Sequence, residues 1–156
     1  MTNTMTRLRS ALPDELAEIS ELCMRSKAVW GYDAVFMEAC RSELTINPVD
    51  LQASRIQVAE TASRKIVGVA QVKSTDTDAD LAKLFVEPGR LRAGTGRLLF
   101  EWAIRTAREL GAIRLTIEAE PEAAGFYEKM GAQLVGTAPS GSIPGRTIPK
   151  LVLVLK

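Results

Sequence analysis

The 156-residue sequence predicts an α/β (α+β) fold in one domain, residues 1–156, with about seven strands and about four helices. Three observations carry that expectation. Leu81 to Leu110 spells a strand, a basic glycine-containing turn and a long amphipathic helix. Arg55 to Glu60 and Lys65 to Lys73 are rich in β-branched residues around a short polar turn, as in an antiparallel pair. Ile113 to Glu120 alternates: Ile113, Leu115, Ile117 and Ala119 share one face, and Arg114, Thr116, Glu118 and Glu120 share the other.

Taken in order, Met1 to Met5 is a polar lead-in expected to fray. Thr6 to Ser10 alternates as a short strand. Leu12-Pro13-Asp14-Glu15 then starts a helix, because proline and acids suit a first turn. Leu16, Ile19, Leu22 and Cys23 form its buried stripe, and it ends near Val29. Trp30-Gly31-Tyr32 connects it to a second helix with Phe36, Met37 and Cys40 on its apolar face, and Asn47-Pro48 closes that region. After the antiparallel pair, Thr75 to Asp80 reads as an acidic loop. Leu81 to Val86 is a strand stopped by Pro88-Gly89.

The long helix opens at Gly94 and Gly96, carries Leu99, Trp102, Ala103, Thr106, Ala107 and Leu110 on one face, and ends at Gly111, where a C-cap glycine belongs. Beyond the alternating strand, Pro121 opens a short helix over Glu122 to Met130, ended by Gly131. Ala132 to Gly136 is a strand, Thr137 to Thr147 a loop, and Leu151 to Leu155 an apolar last strand.

Composition excludes several chemistries. The net charge of +1 offers no basic surface for a nucleic acid. No apolar run reaches membrane-spanning length and no signal-peptide pattern opens the chain, so the expected location is the cytoplasm, with no membrane partner. Cys23 and Cys40 read as buried free thiols. Without histidine no transition-metal site is expected, and Ser-His-Asp and Cys-His mechanisms are excluded.

The strand-turn-helix at Leu81–Leu110 suits anion capture. A helix start has open N–H groups and partial positive charge, glycines admit a phosphate, and Arg90, Arg92 and Arg97 add full charges. It is not a Walker loop, since Arg97-Leu98 follows Gly96. Nor is it a dinucleotide fingerprint, since Leu99 stands at the third glycine.

Val86-Glu87-Pro88 followed by Gly94-Thr95-Gly96 resembles the acetyl-coenzyme A motif of the Gcn5-related N-acetyltransferase (GNAT) superfamily. Leu91 stands at that motif's Gln/Arg position and Arg92 at a usual glycine. Ala123, Phe126, Tyr127 and Gly131 match the superfamily's second cofactor motif in register, with Glu120 in place of its usual Asn. The order of elements also resembles this superfamily over essentially the full length.

The resemblance implies a mixed, mostly antiparallel twisted sheet flanked by helices, and acetyl-CoA-dependent direct transfer to a primary amine of a small molecule or peptide. It implies that Leu84, Phe85 and Val86 pair with the pantetheine arm like an added strand, and that the backbone N–H near Val86 polarises the thioester carbonyl. Leu91, Arg92, Ala93, Gly94, Thr95, Gly96 and Arg97 would surround the pyrophosphate, with Glu120, Ala123 and Phe126 completing the cofactor site. Tyr127 would give the departing thiolate its proton. Trp30 and Tyr32 would face the acceptor; apart from the resemblance, Arg146 in the late loop Ser142–Arg146 would hold an acceptor carboxylate if that loop folds over the acceptor.

For the base, the central strand offers Lys83 where many members carry Glu. Asp80 and Glu118 are the nearest acids, and a water relay serves equally. The superfamily often dimerises, which leaves a homodimer open. An acyl-CoA-binding sensor without turnover is the alternative reading of Leu91, Glu120 and the missing strand acid.

Overall fold

The computed structural model describes residues 6–90 and 93–155. The frayed start expected for Met1–Met5 and the cofactor contacts expected of Leu91 and Arg92 lie outside the described residues.

Among the described residues seven strands form one sheet: β1 (Thr6–Ser10), β2 (Arg55–Thr61), β3 (Ile66–Thr75), β4 (Asp78–Val86), β5 (Arg114–Glu118), β6 (Gln133–Pro139) and β7 (Thr147–Val154). Their order across the sheet is β1-β2-β3-β4-β5-β7-β6, and every neighbouring pair is antiparallel except β4 with β5. Parallel neighbours need a crossover, and α4 (Thr95–Glu109) supplies it. The other helices are α1 (Leu16–Ala28), α2 (Ala34–Leu44), α3 (Pro48–Ala53) and α5 (Ala124–Lys129).

Helix α3 corrects one expectation. Asn47-Pro48 opens a helix instead of closing a region. Proline is pre-set for a first helical position, and the Asp50 carboxylate accepts the Asn47 N–H at 2.8 Å, half of a capping box. A second correction concerns Thr75 to Asp80, expected as a loop. Asp76 turns the chain at φ +57°, a conformation Asp tolerates, so Thr75 and Asp78 already face each other in a tight hairpin. At the carboxyl end, β6 runs on to Pro139 and β7 begins at Thr147. The last β5–β7 pair is Glu118 with Lys150, so the donor missing from Pro149 falls beyond that ladder.

The sheet has a core on each side. Phe100, Ala103 and Ala107 of α4 pack on Leu115, Ile117 and Leu151, joined by Tyr127 of α5. On the opposite face Ile19, Leu22 and Cys23 of α1 and Cys40 and Leu44 of α2 cover Val58 and Val69. Helix α4 lies close to the sheet over Gly68, where an added Cβ would stand 2.8 Å from Leu99 Cδ1. That approach fixes the start of α4 beside the end of β4.

Candidate active site

The site begins where β4 loses its second neighbour. Strand β4 pairs with β3 over its whole length, but with β5 only from Asp78 to Leu81. A register shift opposite Gln71 and Val72 inserts Ala82 as an extra residue, and bulges bend the strand that carries them. Beyond it β4 and β5 part. Glu87 donates to Val67 O at 2.8 Å, so by antiparallel alternation the amides of Val86 and Leu84 point away from β3, toward the gap. Among the described residues Val86 N–H meets only a long contact there, 3.4 Å to Ser26 Oγ.

The gap is a cleft of about 690 Å³, within the range of small-molecule sites. One end meets the start of α4. Gly94 sits there at φ +82°, a left-handed turn that favours glycine. The first intrahelical bond runs from Leu98 N–H to Gly94 O, which leaves the amides of Thr95, Gly96 and Arg97 directed out of the helix. The Thr95 hydroxyl is buried there without a partner among the described residues.

Deeper in the cleft lies Tyr127, 6% exposed and edge-on to Phe100 and Phe126 at centroid distances of 5.3 and 5.1 Å. Burial pushes its phenol above the ordinary tyrosine range, so the proton stays on near neutral pH.

A polar cluster forms the far wall. Glu120 accepts from Lys27 Nζ at 2.8 Å and from the Tyr32 hydroxyl at 2.5 Å. Arg146 donates to the Tyr32 oxygen at 2.7 Å and stands 3.8 Å from the Glu120 carboxylate. Tyr32 stacks on Phe36 at 4.0 Å. Desolvation, then the hydrogen bond to Glu120, pushes Tyr32 up to about 12. Lys27 and Glu120 are each nearly buried, so the pair holds α1 against the end of β5.

The expected site residues divide as follows. Leu84, Phe85, Val86, Gly96, Ala123, Phe126, Tyr127, Asp80, Glu118, Trp30 and Arg146 all line the cleft. Ala93, Gly94, Thr95 and Arg97 surround the helix start without lining it, and Arg97 is exposed and paired with Glu101 at 3.3 Å. Glu120 lines the cleft too, but its carboxylate is held by Tyr32 and Lys27, beside the residues expected to face the acceptor. Asp80 accepts a hydrogen bond from the Thr116 hydroxyl. Glu118 is exposed.

Lys27 and Gln71 escaped the sequence reading, although each left a signal. Lys27 continues the stripe of Ile19 and Cys23 at a spacing of four, and Gln71 interrupts the apolar run from Ile66 to Val72. A polar group on a buried face is the informative kind. Among the described residues no cluster could hold a metal ion, and no helix is long and apolar enough to cross a membrane.

A mixed sheet parted at one parallel pair, with a crossover helix aimed at the parting, is the architecture of the N-acyltransferase fold. The chain belongs to the GNAT superfamily: the family described as acetyltransferase (GNAT) domain matches residues 18–137. A GCN5-related N-acetyltransferase from Rhodopseudomonas palustris superposes with a TM-score of 0.81 at 24% identity, over 99% of each chain. The PaiA N-acetyltransferase of Thermoplasma acidophilum, solved with coenzyme A, gives 0.77 at 16% identity, over 96% of this chain and 99% of that one. An uncharacterised N-acetyltransferase of Mycobacterium tuberculosis is 32% identical over 77 residues, 47% of this chain. That match spans about half of the relative's length, 49%.

Proposed function

We propose that this single-domain chain is an acetyl-CoA-dependent N-acetyltransferase that acts by direct transfer on a primary amine of a small molecule or peptide. The observation that carries the reading is the continuous cleft from the open start of α4, along the unpaired edge of β4, to the Tyr127 phenol. The residues present fit coenzyme A. The helix start offers three outward amides for a pyrophosphate, and the β4 edge offers amides for a pantetheine arm. The Thermoplasma neighbour, of the same fold, is solved with that molecule.

When bound, acetyl-coenzyme A supplies an activated thioester. The chain's own groups then divide the work. The Val86 amide, whose present contact to Ser26 is long, is available to polarise the thioester carbonyl. Tyr127 keeps its proton at neutral pH and can give it to the thiolate. Phe126 and Ala123 form the apolar wall, and Phe126 stands 3.7 Å from a Cβ placed on Gly96, so the helix start and the phenol share one surface. Trp30 and Arg146 shape the acceptor end, with Tyr32 behind the wall accepting from Arg146 and with Asp80 and Glu118 as the carboxylates along the cleft.

Thiol release from acetyl-CoA across a panel of primary amines tests the reading. Release that depends on the amine is the expected result. Tight coenzyme A binding without release from any amine would favour the sensor alternative, and no binding at all would overturn both.

A further inference from the structure

Lys83 follows the bulge on β4, opposite Gln71 of β3, and lines the same cleft as Val86 and Tyr127. Its Nζ donates to Gln71 Oε1 at 3.3 Å. Gln71 is fully buried, and its amide orientation is fixed: Nε2 donates to Ser54 Oγ at 2.9 Å, while that hydroxyl donates to Asp50 O at 2.6 Å. So Lys83 is held by a neutral acceptor.

None of the ion pairs among the described residues includes Lys83. The titratable groups around it are Cys23 of α1, Glu43 of α2, Asp50 of α3 and Lys73 of β3, with Asp80 on its own strand. The Cys23 thiol is pushed by burial up to about 12 and stays neutral. Lys73 repels a second positive charge, while Asp50 and Glu43 favour one without forming an ion pair with Lys83 among the described residues. A desolvated amine so placed gives up its proton more readily than an exposed lysine, and burial accordingly lowers the Lys83 pKa. Of the cleft's other candidates, Asp80 already accepts the Thr116 hydroxyl and Glu118 faces solvent.

We propose that Lys83 takes the proton from the acceptor ammonium, directly or across one water, which rests on the acetyltransferase reading above. The step balances. The ammonium gives one proton to the neutral Lys83 amine and gains a lone pair. That nitrogen bonds the thioester carbon as the carbon–sulfur bond breaks. The sulfur keeps the bonding pair and takes the Tyr127 proton, the nitrogen returns its remaining surplus proton to the Tyr127 oxygen, and Lys83 releases its own to solvent.

Lys83→Arg and Lys83→Met test this together. Arginine keeps the charge and cannot titrate. Both variants should lower kcat by about a hundredfold at neutral pH, with coenzyme A affinity and amine KM held. Part of the loss should return at high pH, where the amine is already neutral. Lys83→Arg with wild-type kcat and pH profile would overturn the proposal. So would a raised KM in Lys83→Met that Lys83→Arg restores, since that marks a fixed charge holding an anion.

A second readout needs no turnover: the carbon-13 shift of Lys83 Cε in the ligand-free protein, assigned with Lys83→Arg. A titration midpoint below the ordinary lysine range is expected, and an ordinary midpoint would overturn the proposal. A wild-type protein that releases thiol with no amine sinks the acetyltransferase reading and this one with it. A wild type that turns over and is matched by Lys83→Arg sinks this one alone.

Discussion

The two halves of β4 share one partner and differ in the other. From Asp78 to Leu81 the strand is bonded on both sides, and Ala79 and Leu81 are buried against α4 and β5. From Ala82 to Val86 it keeps β3 and loses β5, and Lys83, Leu84 and Phe85 are half-buried in the cleft wall. One inserted residue separates a strand that holds the sheet together from a strand edge that can hold a ligand. Saturated backbone makes stability, and backbone with unspent donors makes a site.

The sharpest way to test that division is to damage the paired half. Leu115 is fully buried and pairs with Ala79. Leu115→Ala should cost about 2–5 kcal/mol of stability through transfer loss and cavity formation, read by denaturant unfolding, with coenzyme A affinity per folded molecule unchanged. Affinity falling in proportion to stability would mean that the two halves are not separable.

The open half should show the reverse. Tyr127→Phe keeps the ring packed on Phe100 and Phe126 and removes only the hydroxyl. Turnover should fall by about a hundredfold or more, with coenzyme A affinity nearly constant. An equally fast variant would take Tyr127 out of the chemistry. Gly96→Asp comes next. Its Cβ would meet Phe126 and Val86 at 3.7 Å, an ordinary contact, so the fold has room for it. The carboxylate would oppose a pyrophosphate at the helix start, and losing charge-assisted bonds there should weaken coenzyme A binding by about tenfold or more. Unchanged affinity by calorimetry would move the pyrophosphate elsewhere.

Much of this division was legible in the sequence, because it rests on local rules. Pro88 and Gly94 mark the end of β4 and the turn into α4, and the alternation of Ile113 to Glu120 gives β5 its two faces. The bulge was not legible: Ala82 looks like any strand residue, and only the pairing partners reveal that it is extra. The same holds for Glu120. Its place in a cofactor motif suggested a ligand contact, whereas Lys27 and Tyr32, distant in sequence, reach its carboxylate. Charge partners across 93 residues leave no local pattern to read. The tight hairpin at Asp76 was missed for a different reason: its polar composition matches a loop equally well.

The smallest expected effect is a gain, and its sign depends on pH. Burial lowers the Lys83 pKa in the folded chain below its unfolded value. Between the two values the unfolded state binds more protons, so stability rises with pH through that window. Below it, folding desolvates a charged amine that lacks a counter-ion. Lys83→Met removes that burden and keeps a side chain of similar length. Its melting temperature should exceed the wild type's by a few degrees near neutral pH, and the gain should shrink as pH rises across that window, from the folded pKa to the unfolded one. A variant destabilised equally at every pH would mean that the bond to Gln71 outweighs desolvation. A gain at neutral pH in a variant that has lost turnover would instead show the open half of β4 giving up stability for a group that can exchange a proton.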